Sequence, residues 1–194
     1  MTTPEREKKI KRVIANRRQD IIVILEDIYD PHNVESILRT CDAFGIHIIY
    51  LITHKQPPFN TKKLGKRSSA SANKWLDPIW FDSIDTALRP LKEEGYHLYG
   101  TTINNTAKHL QQTTFTDTKT AILFGNERDG LSPEILTYCN SELYIPMNGM
   151  IDSLNISVSA AITLYEYTKQ HPLTTKHQLP NKTQEKLINE FLQR

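Results

Sequence analysis

Residues 21–25, Ile-Ile-Val-Ile-Leu, are apolar at every position and rich in β-branched side chains. A strand with one wet face alternates polar and apolar residues. An unbroken run of this kind belongs to a strand covered on both faces. Helices packed on either side of a mainly parallel sheet bury a strand in this way, so the run points to an α/β domain. The rest of the chain alternates accordingly. Further strands are expected over 47–52, 96–102, 121–124 and 143–147. Helices are expected over 4–16, 30–45 and 83–94, with Pro90 weakening the second half of the last. A short helix opens at Ser132-Pro133, and the strongest helical pattern runs over 153–169. Thr3-Pro4 reads as a hydroxyl cap followed by proline at the first helical position. Residues 53–74 carry no period and read as a long loop. A linker over 171–180 leads to a last amphipathic helix with Leu187, Ile188, Phe191 and Leu192 on one side.

A chain of 194 residues with 38% apolar and 24% charged residues has enough material for one ordinary core. No stretch is apolar for long enough to span a bilayer, and the charged start MTTPEREKKIKR does not resemble a secretory leader. A cytoplasmic protein with reduced Cys41 and Cys139 is expected. Both cysteines fall within expected elements. Net charge is +2 but unevenly spread: residues 1–18 carry +5, residues 169–194 carry +3, and the stretch between carries −6. Basic arms on an acidic body suit contact with a phosphate backbone, although solvated terminal helices would show the same pattern. The expected division is a basic N-terminal helical extension over 1–19, a core over 20–169, and a linker with a C-terminal helix over 170–194.

Several chemistries lack their signatures. No GxGxxG follows a strand, and there is no P-loop and no GxSxG elbow. The seven histidines, His32, His47, His54, His97, His109, His171 and His177, lack zinc-ligand spacing, and no metal is expected. What remains is three segments that each join a strand to a helix: NVESILRTCDAFG (33–45), ILFGNERDGLS (122–132) and IPMNGMIDSLNISVSAA (145–161). Such junctions are where ligands bind in parallel sheets. Arg39 offers a planar, permanently charged fork for a phosphate or carboxylate, or else a salt bridge to Asp42 or Glu35. Gly125 permits close backbone approach. Asn126 and Glu127 could hold a ribose or an amine, or instead form an Asx turn and a helix-start carboxylate. Ser153 reads as the cap of the longest helix. Asn155 then falls in its first turn without a helical reason to be there, which makes it the better functional candidate.

Taken together and in this order, the three segments resemble the SpoU/TrmH family of RNA ribose 2′-O-methyltransferases, of the SPOUT superfamily. The resemblance runs from about Asp20 to Lys169. It rests on Asn33 with Arg39, then Gly125-Asn126-Glu127, then Ser153-Leu154-Asn155. The fold it implies is a SPOUT fold: a mainly parallel sheet flanked by helices, its C-terminal part threaded into a deep trefoil knot over about 120–167. The implied cofactor is S-adenosylmethionine, held by Thr101, Thr102, Gly125, Asn126, Ile145, Met147, Ser153, Leu154 and Asn155. The implied catalytic residues are Arg39, Asn33, Glu127, Ser153 and Asn155. A homodimer is implied, with the 153–169 helix in its interface.

The segments over 17–40 and 149–161 resemble the transfer-RNA branch, which methylates the D-loop guanosine at position 18. Asp152 stands where that branch usually has glutamine. On this reading Arg6, Lys8, Lys9, Lys11, Arg12, Arg17, Arg18 and His32 contact tRNA phosphates. Ribosomal RNA as the substrate, or a non-catalytic RNA-binding role, remain the alternatives.

Overall fold

The computed structural model describes residues 3–55, 75–76, 78–105, 107–116 and 119–194. Most of the expected loop over 53–74 lies outside the described residues. Seven strands form one sheet in the order β3-β2-β1-β6-β4-β7-β5, every neighbouring pair parallel. They are β1 (Arg18–Glu26), β2 (Ile46–Ile52), β3 (Ile79–Phe81), β4 (His97–Thr102), β5 (Lys108–His109), β6 (Thr120–Phe124) and β7 (Ser141–Tyr144). The helices are α1 (Pro4–Ala15), α2 (Pro31–Ala43), α3 (Ile84–Glu93), α4 (Pro133–Leu136), α5 (Ile156–Gln170) and α6 (Asn181–Gln193).

The central pair β1 and β6 is buried on both faces, as the apolar run requires. Successive side chains point to opposite sides of a strand. Ile21, Val23 and Leu25 of β1, with Ile122 and Phe124 of β6, face the core beneath α2 and α5. Ile22, Ile24, Ala121 and Leu123 face the core beneath α3 and α4. The outcome is a three-layer α/β domain.

The expected helix over 83–94 forms as α3, with Pro90 inside it, and three other expectations need correction. The lost backbone hydrogen bond is offset by burial of Ala87, Leu88 and Leu91. β7 covers Ser141–Tyr144 rather than 143–147, which frees Ile145 and Met147 to leave the sheet. α5 starts at Ile156 and is capped by Asn155, not by Ser153. Cys139 lies in the turn after α4, outside any element. The edge strands β3 and β5, of three and two residues, are too short to show a period.

The two terminal segments pack on each other. Ile10 and Ile14 of α1 share a small core with Leu179, Leu187 and Phe191 from the C-terminal end. Trp75 closes it, its ring 5.2 Å from that of Phe191. The Leu179 amide donates to the Arg17 carbonyl at 3.2 Å.

Arg17 and Arg18 are wholly enclosed where this small core joins the sheet, at 0% and 2% exposure. Arg17 Nη2 donates to Asp42 Oδ1 at 2.6 Å and to the Trp75 carbonyl at 3.3 Å. Arg18 grips Asp20 with two donors, at 3.0 and 2.6 Å, and donates to the His171 carbonyl at 2.7 Å. The Tyr167 hydroxyl donates to the same Asp20 carboxylate at 2.8 Å. These two arginines therefore bind the chain to itself and are removed from the expected phosphate contacts, because a buried and paired guanidinium cannot reach a polyanion.

Candidate active site

In a parallel sheet every strand delivers its carboxyl end to the same edge. The segments that follow β4, β6 and β7 meet there around a cavity of about 360 Å³. That volume suits a small organic ligand. Thr101, Thr102, Gly125, Asn126, Glu127, Ile145, Met147, Ser153, Leu154 and Asn155 all line it. Every residue expected to hold a cofactor thus lies on one wall or another of a single hollow.

The β6 exit is built as a tight turn. The Asn126 and Gly130 backbones bond each other twice, both at 3.1 Å. Asn126 Oδ1 accepts from the Arg128 and Asp129 amides at 2.9 and 2.8 Å. Its carboxamide oxygen is therefore occupied in an Asx-type turn, one of the two uses its sequence allows. A Cβ on Gly125 would lie 2.0 Å from the Gly130 carbonyl carbon and 2.1 Å from the Leu131 nitrogen. Both are backbone atoms that cannot step aside. Gly125→Ala is expected to reshape the turn and lower the melting temperature by several degrees, which thermal unfolding would read directly.

Glu127 links all three segments. Its carboxylate accepts from Asn33 Nδ2 at 2.6 Å and from the Tyr29 and Asp30 amides at 3.0 and 3.3 Å. Asn33 Oδ1 accepts in turn from Asn155 Nδ2 at 3.1 Å. Asn155 Oδ1 caps α5 through the Ser157 amide at 2.8 Å. Partial burial pushes the Glu127 carboxyl up, but the hydrogen bonds from Asn33, Tyr29 and Asp30 outweigh it and hold the group below the usual carboxylate range. Glu127 is thus an anion at neutral pH with both oxygens engaged. It anchors Asn33 and offers no proton.

Ser153 is exposed and makes no hydrogen bond among the described residues, so its hydroxyl is open to a ligand. Arg39 stands apart. Six residues along α2 from Asn33, about 9 Å of helix rise, it is exposed and does not line the cavity. The salt bridge to Asp42 or Glu35 does not form; Asp42 is taken by Arg17. Arg39 has no hydrogen bond or ion pair among the described residues.

The structure adds lining residues to which the sequence assigned no role: Arg128, Asp129, Asp152 and Ser159 from within the second and third segments, and Thr163 beyond them. Arg128 lies over the Tyr29 ring at 4.9 Å. Ile156, Ser159 and Thr163 form one stripe of α5, and their spacing of three and four residues was the signal available in the sequence.

Among the described residues, one other grouping resembles a site. Glu26, Asp27 and His54 bring potential ligand atoms within 4.8 Å of one another. Yet Glu26 already accepts from the Ser132 amide and hydroxyl at 2.7 and 2.5 Å, and Asp27 accepts from the His54 and Lys55 amides. Nucleophilic cysteine chemistry is disfavoured as well. Burial pushes the Cys41 thiol far up and that of Cys139 up to about 12.

Comparison with known proteins agrees with this geometry. A tRNA (guanosine(18)-2′-O)-methyltransferase of Thermus thermophilus is 36% identical over 168 residues, covering 87% of this chain and 84% of that protein. The crystal structure of the Aquifex aeolicus TrmH/SpoU tRNA modifying enzyme superimposes with a TM-score of 0.79 at 28% identity, covering 96% of both chains. The SpoU methyltransferase AviRb of Streptomyces viridochromogenes, solved with the cofactor AdoMet, has a TM-score of 0.67 at 28% identity. The match covers 82% of this chain and 60% of that one. The model of the SpoU rRNA Methylase family matches residues 20–165, a span that begins within β1 and ends within α5 and so takes in every wall of the cavity. The chain belongs to the SpoU methylase family.

Proposed function

We propose that this protein transfers a methyl group from S-adenosylmethionine to a ribose 2′-hydroxyl of tRNA, that of the D-loop guanosine at position 18. The observation that carries the reading is the 36% identity to an enzyme of that name across 87% of the chain. The cavity fits the donor. Glu127, Asp129 and Asp152 against a single Arg128 give its rim an acidic balance suited to a cationic ligand, and its inner end is lined by Leu131, Leu143 and Ile156. The knot over about 120–167 belongs to the same reading, which is supported by the turn after β6, the end of β7 and α5 all lining the cavity.

When bound, S-adenosylmethionine supplies a methyl carried on an electrophilic sulfonium. The protein's work is to place the ribose and to manage the charge that develops on its oxygen. The Glu127–Asn33–Asn155 chain holds three strand–helix junctions in register and fixes the wall against which the ribose rests. Ser153 presents a free hydroxyl at that wall. Arg39, permanently charged and unpaired, stabilises the developing alkoxide or the neighbouring phosphate and does not act as the base. Because it lies outside the cavity of its own chain, the reading has the site completed near the contact between two copies.

That contact is supported by α5. Val158, Ile162 and Tyr165 are 45%, 39% and 60% exposed on one side of this helix, an apolar stripe that the single chain leaves uncovered. Ile162→Glu is expected to shift the protein to a monomer in light scattering and to abolish methyl transfer with it. A fully active monomer would refute the shared site.

Arg6, Lys8, Lys9 and Arg12 are exposed on α1 and His32 is exposed at the start of α2; Lys11 pairs with Glu7 at 2.5 Å. These are the proposed phosphate contacts, in an enzyme acting in the cytoplasm. Deleting 1–16 would also uncover Leu187 and Phe191, so charge removal is the cleaner test. Lys8→Gln, Lys9→Gln and Arg12→Gln together are expected to weaken tRNA binding and reduce its salt slope by about one unit for each phosphate-binding cation removed. An unchanged slope would make α1 structural only.

The decisive experiment incubates the protein with labelled S-adenosylmethionine and, separately, unmodified tRNA and ribosomal RNA, then maps the methylated nucleotide. Label at guanosine 18 of tRNA supports the reading. Label only in ribosomal RNA would replace the substrate and leave the chemistry intact.

A further inference from the structure

Thr163 lies on α5 with 1% of its surface exposed, and it lines the cavity. Its Oγ1 is buried without a hydrogen-bond partner. A threonine inside a helix usually turns its hydroxyl back to the carbonyl four residues earlier. Thr40 does so to Ser36 at 3.0 Å, and Thr113, at the end of a short helical turn, does so to His109 at 2.9 Å. Thr163 does not bond Ser159. A buried hydroxyl left unmade is destabilising, so a group that the fold leaves in this state is expected to meet a partner that arrives from outside.

The cavity grades from charged to apolar. Glu127, Arg128, Asp129 and Asp152 are exposed along its rim, whereas Leu131, Leu143 and Thr163 are buried. The methyl donor has a matching gradient, with a zwitterionic amino-acid head at one end and a flat purine with a polar edge at the other. The head belongs at the charged rim and the purine among the leucines.

We infer that the Thr163 hydroxyl hydrogen-bonds the purine edge of the cofactor and so acts as a specificity-determining contact in the inner part of the cavity. This inference rests on the methyl-donor reading above. A hydroxyl suits the task because it can either donate to a ring nitrogen or accept from an exocyclic amine.

Calorimetric titration with S-adenosylhomocysteine tests it on the full chain. Thr163→Val keeps the shape and removes the hydroxyl; Thr163→Ser keeps the hydroxyl. The valine variant is expected to bind about 3- to 15-fold more weakly, the worth of one ordinary hydrogen bond, and the serine variant within about twofold of the parent. The melting temperature of the ligand-free valine variant is expected to equal or exceed that of the parent, since an unsatisfied group has been removed. In competition, adenosine should lose the same factor and L-methionine none. Valine binding equal to the parent's, or serine binding as weak as valine's, overturns the inference while the methyl-donor reading stands. A parent protein that binds neither S-adenosylhomocysteine nor S-adenosylmethionine overturns both. If the valine variant does not fold, Thr163→Ala removes the same hydroxyl without adding a methyl and is read by the same criteria.

Discussion

Asp20→Ala is expected to destabilise the protein by about 3–5 kcal/mol. Asp20 is the anionic partner of Arg18, whose side chain is 3% exposed, and it also accepts from the Tyr167 hydroxyl. Removing it leaves a buried cation without its anion, with the His171 carbonyl still accepting from it, and takes a carboxylate acceptor from the Tyr167 phenol. Arg18 lies over the Tyr167 ring at 5.5 Å with its side chain 3% exposed, so its charge is held away from bulk solvent. For a chain of this size the loss corresponds to a fall in melting temperature of roughly 6–20 °C. Asp20→Asn should lose less, because the amide still offers an oxygen to both donors. Arg18→Met with Asp20→Leu should recover much of the loss, since an apolar pair requires no desolvation of charge. An Asp20→Ala protein that melts within about two degrees of the parent would mean that the network carries no net stability.

The second large effect is chemical. Arg39→Ala is expected to reduce methyl transfer by about 10²- to 10³-fold, the range seen when one donor to a developing oxyanion is removed. Affinity for S-adenosylhomocysteine should stay within about twofold, because Arg39 does not line the cavity. Stability should hold or rise slightly, since an exposed, unpaired arginine is exchanged for a strong helix former. Single-turnover methylation of tRNA beside a calorimetric titration separates the two readouts. Equal loss of both would place Arg39 in donor binding and end its assigned role.

The contrast between Arg39 and Arg17–Arg18 shows where sequence reading stops. All three are cations near polar residues. Arg17 and Arg18 sit in a basic run that looks solvated, but their partners, Asp42 and the His171 carbonyl, come from residues distant in the chain. Burial of this kind is a long-range property. By contrast, the central strands were legible because unbroken apolar runs have one physical meaning. The three junctions were legible because helix caps and glycine turns are local. The exchange between Ser153 and Asn155 lies at the boundary of the two cases. Both residue types cap helices, and the tie is broken by Asn155 also donating to Asn33, a residue 122 positions earlier. From sequence, Asn155 reads as functional because helical geometry gives it no work; in the fold it caps α5 and braces the site at once. β7 was displaced because its polar start, Ser141-Glu142, hides a strand whose pairing is decided by β4 and β5. Thr163 carries no motif, and its interest comes only from what fails to touch its hydroxyl.

The clasp between α1 and α6 has a bearing on how the chain is made. On the ribosome α1 emerges well before α6, the helix that shelters Ile10 and Ile14. Until then a greasy stripe on a highly cationic segment is left to the surroundings. A product cut short before Asn181 would carry that stripe indefinitely, making prematurely terminated copies ready clients for chaperones and proteases.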